Sequence, residues 1–192
     1  MLASITPLGK RGRGASWRRT VTAYVVASTI GGVAMGALLG AVGASLSLGH
    51  GWALLIGGAV ALQAAGLDLA GRLPTLRRQV DETWMNSYRD WVYGAGFGLQ
   101  LGVGAMTIVT SASLYLTWVV ELLTGNAAIG ALVGAAFGLS RALPLVGNAR
   151  ITTADVLRSA QRRWHHRLPL ARRATIAVEV AAGVAMLAWV AA

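Results

Sequence analysis

The chain has 192 residues, of which 55% are hydrophobic and 12% charged, and 17 lysines and arginines against 7 acids leave a formal charge of +10. With a mean hydropathy of +0.59, it has too little polar surface for an ordinary soluble domain, and the bilayer is the solvent it suits. The absence of cysteine excludes disulfides, thiolate redox chemistry and cysteine-based metal sites.

Basic residues flanking apolar runs, without an RNA-binding or helix-turn-helix signature, exclude nucleic acid and make anionic lipid headgroups the counter-charge. Arginine far outnumbers the single Lys10, and alanine and glycine are abundant, which fits a GC-rich bacterial genome.

Residues 1–19 form a basic N-terminal segment carrying Lys10, Arg11, Arg13, Arg18 and Arg19. The first apolar run, 20–46, exceeds the ~20 residues that cross a hydrocarbon core. It is also too long for the ~7–15-residue apolar region of a signal peptide. An uncharged linker, 47–51, leads into a second span, 52–70, and so short a connection predicts an antiparallel helical hairpin.

The segment 72–91 places Leu73, Leu76, Val80, Trp84, Tyr88 and Trp91 at three- and four-residue steps, with Arg77, Arg78, Asp81, Glu82 and Arg89 on other faces. This pattern predicts an amphipathic helix at the cytoplasmic interface. The third apolar segment, from Trp91 to about Leu123, would as one helix extend roughly 48 Å, so it must tilt, protrude or break. On such a helix Gln100, Gly104, Thr107 and Ser111 share a face, and with Thr110 they form a polar stripe at mid-depth.

Thr124, Gly125 and Asn126 turn the chain into a fourth span, 127–146. A second basic amphipathic helix follows, capped by Thr153, with Val156, Leu157, Ala160 and Trp164 on one side and Arg158, Arg162, Arg163 and Arg167 on the other. A final span covers 175–192. With five spans, every lysine and arginine falls on one side of the membrane, which predicts a cytoplasmic N-terminus and Ala192 outside.

The fold class is therefore all-α, a polytopic transmembrane helical bundle of about five spans with two cytoplasmic interfacial amphipathic helices. Residues 20–192 form one transmembrane domain of a bacterial inner membrane. Tyr24 and Tyr93 open the first and third spans, and Leu73-Pro74 and Leu143-Pro144 close the second and fourth, which suggests hairpin repeats at 20–90 and 91–170.

Small residues permit close helix packing in lipid. Gly32, Gly36 and Gly40 mark a stripe on the first span, Gly98 and Gly102 on the third, and Gly130, Gly134 and Gly138 on the fourth. These faces serve packing within the bundle, a homo-oligomer, or a membrane partner subunit.

Intramembrane acids are costly and point to function. Asp68 and Glu179 lie toward the cytoplasmic side, where Arg72 or Arg141 can pair with them, and Glu121 is expected near the outer edge in solvent. His50, His165 and His166 lack metal-ligand spacing, and no nucleophile elbow, P-loop or acid/base pair is visible, so no metal, cofactor or catalytic residue is assigned.

Residues 78–84 (RQVDETW), 88–94 (YRDWVYG) and 100–102 (QLG) resemble small, mainly actinobacterial membrane proteins of no assigned activity. The glycine-rich hairpins are similar to the membrane domains of the CcdA/DsbD thiol-electron carriers. That resemblance implies a fold alone, because the carriers use paired cysteines and inverted repeats, whereas this chain has no cysteine and its hairpins thread in parallel.

The leading functional expectation is a small carrier, or the membrane half of a transporter, with a path along Gln100, Thr107, Thr110 and Ser111 beside Asp68 and Glu179. The alternative is a non-catalytic membrane subunit or scaffold that docks a partner through its glycine-rich faces and basic amphipathic helices.

Overall fold

The computed structural model describes residues 6–8, 16–71, 73, 89–104 and 109–191. Among these there is no strand. The helices are α1 (Trp17–Leu46), α2 (His50–Ala70), α3 (Asp90–Val103), α4 (Ser113–Leu123), α5 (Ala127–Gly147) and α6 (Ala154–Ala191), with a 3-10 turn at Asn148–Arg150. Four of them, α1, α2, α5 and α6, are long and apolar enough to cross a membrane. The expected interfacial helix of 72–91 lies largely outside the described residues.

Local chemistry sets the helix ends. Gly71 and Gly104, with φ of 65° and 80°, adopt the left-handed conformation that closes α2 and α3. The Asn126 side chain accepts the N–H groups of Ala128 and Ile129 at 2.9 and 3.1 Å, capping α5. As the spacing predicts, Thr153 caps α6 by accepting the Val156 N–H at 3.4 Å.

One open alternative is decided and one expectation changes. The third apolar segment breaks: α3 has 14 residues and α4 has 11, so they rise only about 21 and 16 Å. The basic segment and the final span are one helix of 38 residues with Pro169 inside it, because one proline removes a single donor from a long run of good helix formers. Likewise α5 runs past Pro144 to Gly147.

The chain divides into two compact units. One comprises 1–32, 78–107 and 135–167. Its core is Val21, Tyr24, Tyr93, Phe97, Ala142 and Leu145, with Trp17, Val25 and Leu101 packed on it. The Phe97 ring lies 5.8 Å from Tyr24 and 6.0 Å from Tyr93.

Here α1 and α3 run parallel in a four-residue register: Gly94 faces the backbone of Thr20, Gly98 that of Tyr24, and Gly102 that of Ser28. A Cβ at any of the three would overlap main-chain atoms. Gly138 meets Ser28 as well, and the Ser28 hydroxyl donates to the Gly138 carbonyl at 2.9 Å.

The other unit comprises 33–77, 108–134 and 168–192. The antiparallel approach of α1 and α5 puts Gly36 against Gly130 and Gly134, and Gly40 against Asn126. Along α2 the buried face is Gly57, Gly58, Ala61, Ala64, Ala65 and Asp68. Gly58 packs on Gly183 and Leu187 of α6, also antiparallel. Gly36, Gly40, Gly98, Gly102, Gly130 and Gly138 thus each lie against the backbone of another helix, and Gly32 is buried.

Candidate functional site

A polar arrangement in the second unit centres on Asp68, in the last turn of α2 and 5% exposed. Its Oδ2 accepts the Ser111 hydroxyl at 2.6 Å, and its Oδ1 accepts the main-chain N–H of Ala112 at 2.7 Å. Ser111 Oγ lies 2.8 Å from Ser113 Oγ and accepts the Ser113 N–H at 3.2 Å. Ala112 and Ser113 are the N-cap and first residue of α4. The carboxylate therefore satisfies an N–H at that helix start and meets the positive end of its dipole.

Arg172 of α6 performs the reciprocal task at the end of α2. Its Nε and Nη2 donate to the Asp68 carbonyl at 3.1 and 2.6 Å, and Nη2 also donates to the Leu69 carbonyl at 3.2 Å. Carbonyls of the final turn lack intrahelical donors, and a cation there complements the dipole. One residue, Asp68, thus joins three helices, receiving α4 on its side chain and α6 on its main chain.

An open cleft of about 960 Å³ adjoins this junction, lined by Leu69, Leu73, Val109, Thr110, Leu168 and Ile176 together with Ser111, Arg172 and Arg173. The other two intramembrane acids are more buried than Asp68. Glu179 is 2% exposed, and neither carboxyl oxygen has a hydrogen-bond partner among the described residues. Glu121, expected in solvent, is 1% exposed, with Oε2 likewise unpartnered. The expectation fails because α4 is packed against α2, with Leu123 beside Gly57.

Of the polar residues assigned to a path, the second unit brings Asp68 and Ser111 into contact and sets Thr110 at the cleft. Glu179 stands on α6 in the same unit. Gln100 belongs to the other unit and is half-buried, and Thr107 lies outside the described residues. Because α3 ends at Gly104, Gln100 and Ser111 do not belong to one continuous helix.

Arg72, a proposed partner for the acids, is outside the described residues. Arg141 lies over the Phe137 ring at 5.4 Å in the first unit. Sequence reasoning missed the role of Arg172, whose only signal was its position about two turns before Glu179.

A helical protein with four membrane-spanning candidates, and a polar junction in its second unit that ties helix ends together, belongs to the integral membrane class. Its relatives narrow this further. The chain is 32% identical to the methylamine utilization protein MauF of Paracoccus versutus over 97% of its own length and 70% of the relative's.

Against the MauF proteins of Paracoccus denitrificans and Methylophilus methylotrophus, it is 35% and 31% identical over 77% of the chain, spanning 56% and 54% of those relatives. The chain belongs to the MauF family. No protein-family model and no solved structure matches it. The relatives correct the resemblance to unassigned actinobacterial proteins and to the CcdA/DsbD carriers.

Proposed function

We propose that this protein is a non-catalytic membrane subunit of methylamine utilisation, docking a partner protein on its cytoplasmic side. The observation that carries the reading is kinship with MauF proteins along 97% of the chain. The carrier reading draws no support from these relatives, whose names refer to methylamine utilisation. Ser111, one of its path residues, is bonded to Asp68 at the start of α4.

The glycine faces at Gly36, Gly40, Gly98, Gly102, Gly130 and Gly138 are occupied by intramolecular packing, so the partner docks elsewhere. The basic start of α6 is the surface offered. Arg158, Arg162, Arg163 and Arg167 are exposed there, and Trp164 is 52% exposed. Arginine and tryptophan are the residue types enriched in interface anchors.

In this reading the protein threads a bacterial inner membrane with its basic segments cytoplasmic. Reporter fusions at Gly49 and Gly125 should then read outside and one at Arg162 inside. Deleting the gene should abolish growth on methylamine while leaving uptake of labelled methylamine intact. Loss of uptake would instead favour a carrier.

A further inference from the structure

We infer that the cleft between the end of α2 and α6 is a binding site for the headgroup of an anionic phospholipid. Three observations converge on this ligand. The cleft carries Arg172 and Arg173 beside an apolar wall of Leu69, Val109, Leu168 and Ile176, which suits a phosphate with acyl chains attached. Arg172 is held in place by the carbonyls of Asp68 and Leu69. Those bonds orient its guanidinium without neutralising it, and among the described residues Arg173 has no carboxylate partner.

The third observation is position. Arg172 and Arg173 stand where α6 passes from its exposed basic stretch to the apolar run beginning at Ala174, the kind of boundary at which basic side chains meet headgroup phosphates. Basic pockets between transmembrane helices on the cytoplasmic side recognise such headgroups. Asp68, the acid at this cleft, is buried with its oxygens engaged by Ser111 and Ala112. The two arginines are exposed, so the phosphate meets them and not the carboxylate. At about 960 Å³ the cleft has room for a headgroup and the first part of its chains.

Native mass spectrometry of the full chain, released from nanodiscs containing equal phosphatidylglycerol and phosphatidylcholine, tests the inference. Retained lipid should be mainly phosphatidylglycerol. Arg173→Gln should weaken its retention about fivefold, the effect of one arginine near a membrane surface, and Ile176→Trp, which fills the cleft, should lower it further.

Arg163→Gln, on the same helix but away from the cleft, should leave retention unchanged. Equal losses for Arg163→Gln and Arg173→Gln would overturn the site in favour of diffuse attraction to the basic helix. Equal retention of the two lipids would overturn it too, as would displacement of the lipid by millimolar inorganic phosphate.

Discussion

Arg172 grips Asp68 by its main chain: Nη2 lies 2.6 Å from the Asp68 carbonyl oxygen, while the carboxylate of the same residue turns to Ser111 and Ala112. An arginine and an aspartate so close in space would ordinarily be read as an ion pair. Here each serves a helix terminus, so their contributions can be separated by mutation.

Arg172→Ala removes the donors that cover the last carbonyls of α2. A hydrogen bond involving a charged group contributes about 1.5–3 kcal/mol, and the exposure of Arg172 puts the loss at the lower end. Arg172→Lys should recover less than half of it, because an ammonium cannot reproduce the two-pronged contact made by Nε and Nη2. Unfolding in mixed detergent, followed by circular dichroism, measures both.

Asp68→Ala should cost about 1–3 kcal/mol, since it leaves the Ala112 N–H and the Ser111 hydroxyl without their acceptor. Asp68→Asn should restore most of that, with its amide oxygen accepting from Ala112 and its amide nitrogen donating to Ser111. If Asn proves as damaging as Ala, the negative charge matters more than the hydrogen bonds.

Glu179→Met should leave stability unchanged or raise it. Among the described residues the buried Glu179 carboxyl has no hydrogen-bond partner; such a group is costly to keep away from water, and an apolar side chain of similar volume removes that cost. A fall of more than about 2 kcal/mol in the same unfolding assay would reveal a partner for Glu179, since breaking a buried ionic interaction is strongly destabilising.

Gly98→Ala places a methyl group on the backbone of Tyr24, where no flexible side chain can yield. Overpacking of this type costs about 1–3 kcal/mol, and the thermal midpoint in detergent should fall. Gly66→Ala is the matched control, because nothing lies within 4 Å of the new Cβ. It should be neutral or stabilising by up to about 1 kcal/mol through helix propensity alone.

Four of the five expected spans, the Thr153 cap and the turn at 124–126 were legible because they depend on residues within a few positions of one another. Composition and hydrophobic run length settle whether a segment suits lipid, and capping residues act over three or four positions. The small-residue stripes could be read for the same reason, although their mates could not. That Gly98 meets Tyr24 while Gly36 meets Gly130 depends on the register between helices.

The break after α3 was half visible. A length of roughly 48 Å requires some departure from a straight span, but many glycines in that run could have ended the helix, and only the structure selects Gly104. Ser111 and Asp68 were both noted as polar groups in an apolar setting, yet the bond joining them crosses 43 positions. Arg172 reaches Asp68 across 104.

By itself, then, the sequence determined an all-helical membrane protein with its arginines gathered at the ends of apolar segments, since lipid imposes that pattern on every helix separately. Only the tertiary structure decided that the Asp68 side chain meets the start of α4 while Arg172 covers its carbonyl at the end of α2, that Glu121 is buried, and that Arg172 and Arg173 stand beside an open cleft. Those outcomes depend on which helix ends meet, and a helix end satisfies its unpaired N–H and C=O groups with whatever side chain packing brings alongside.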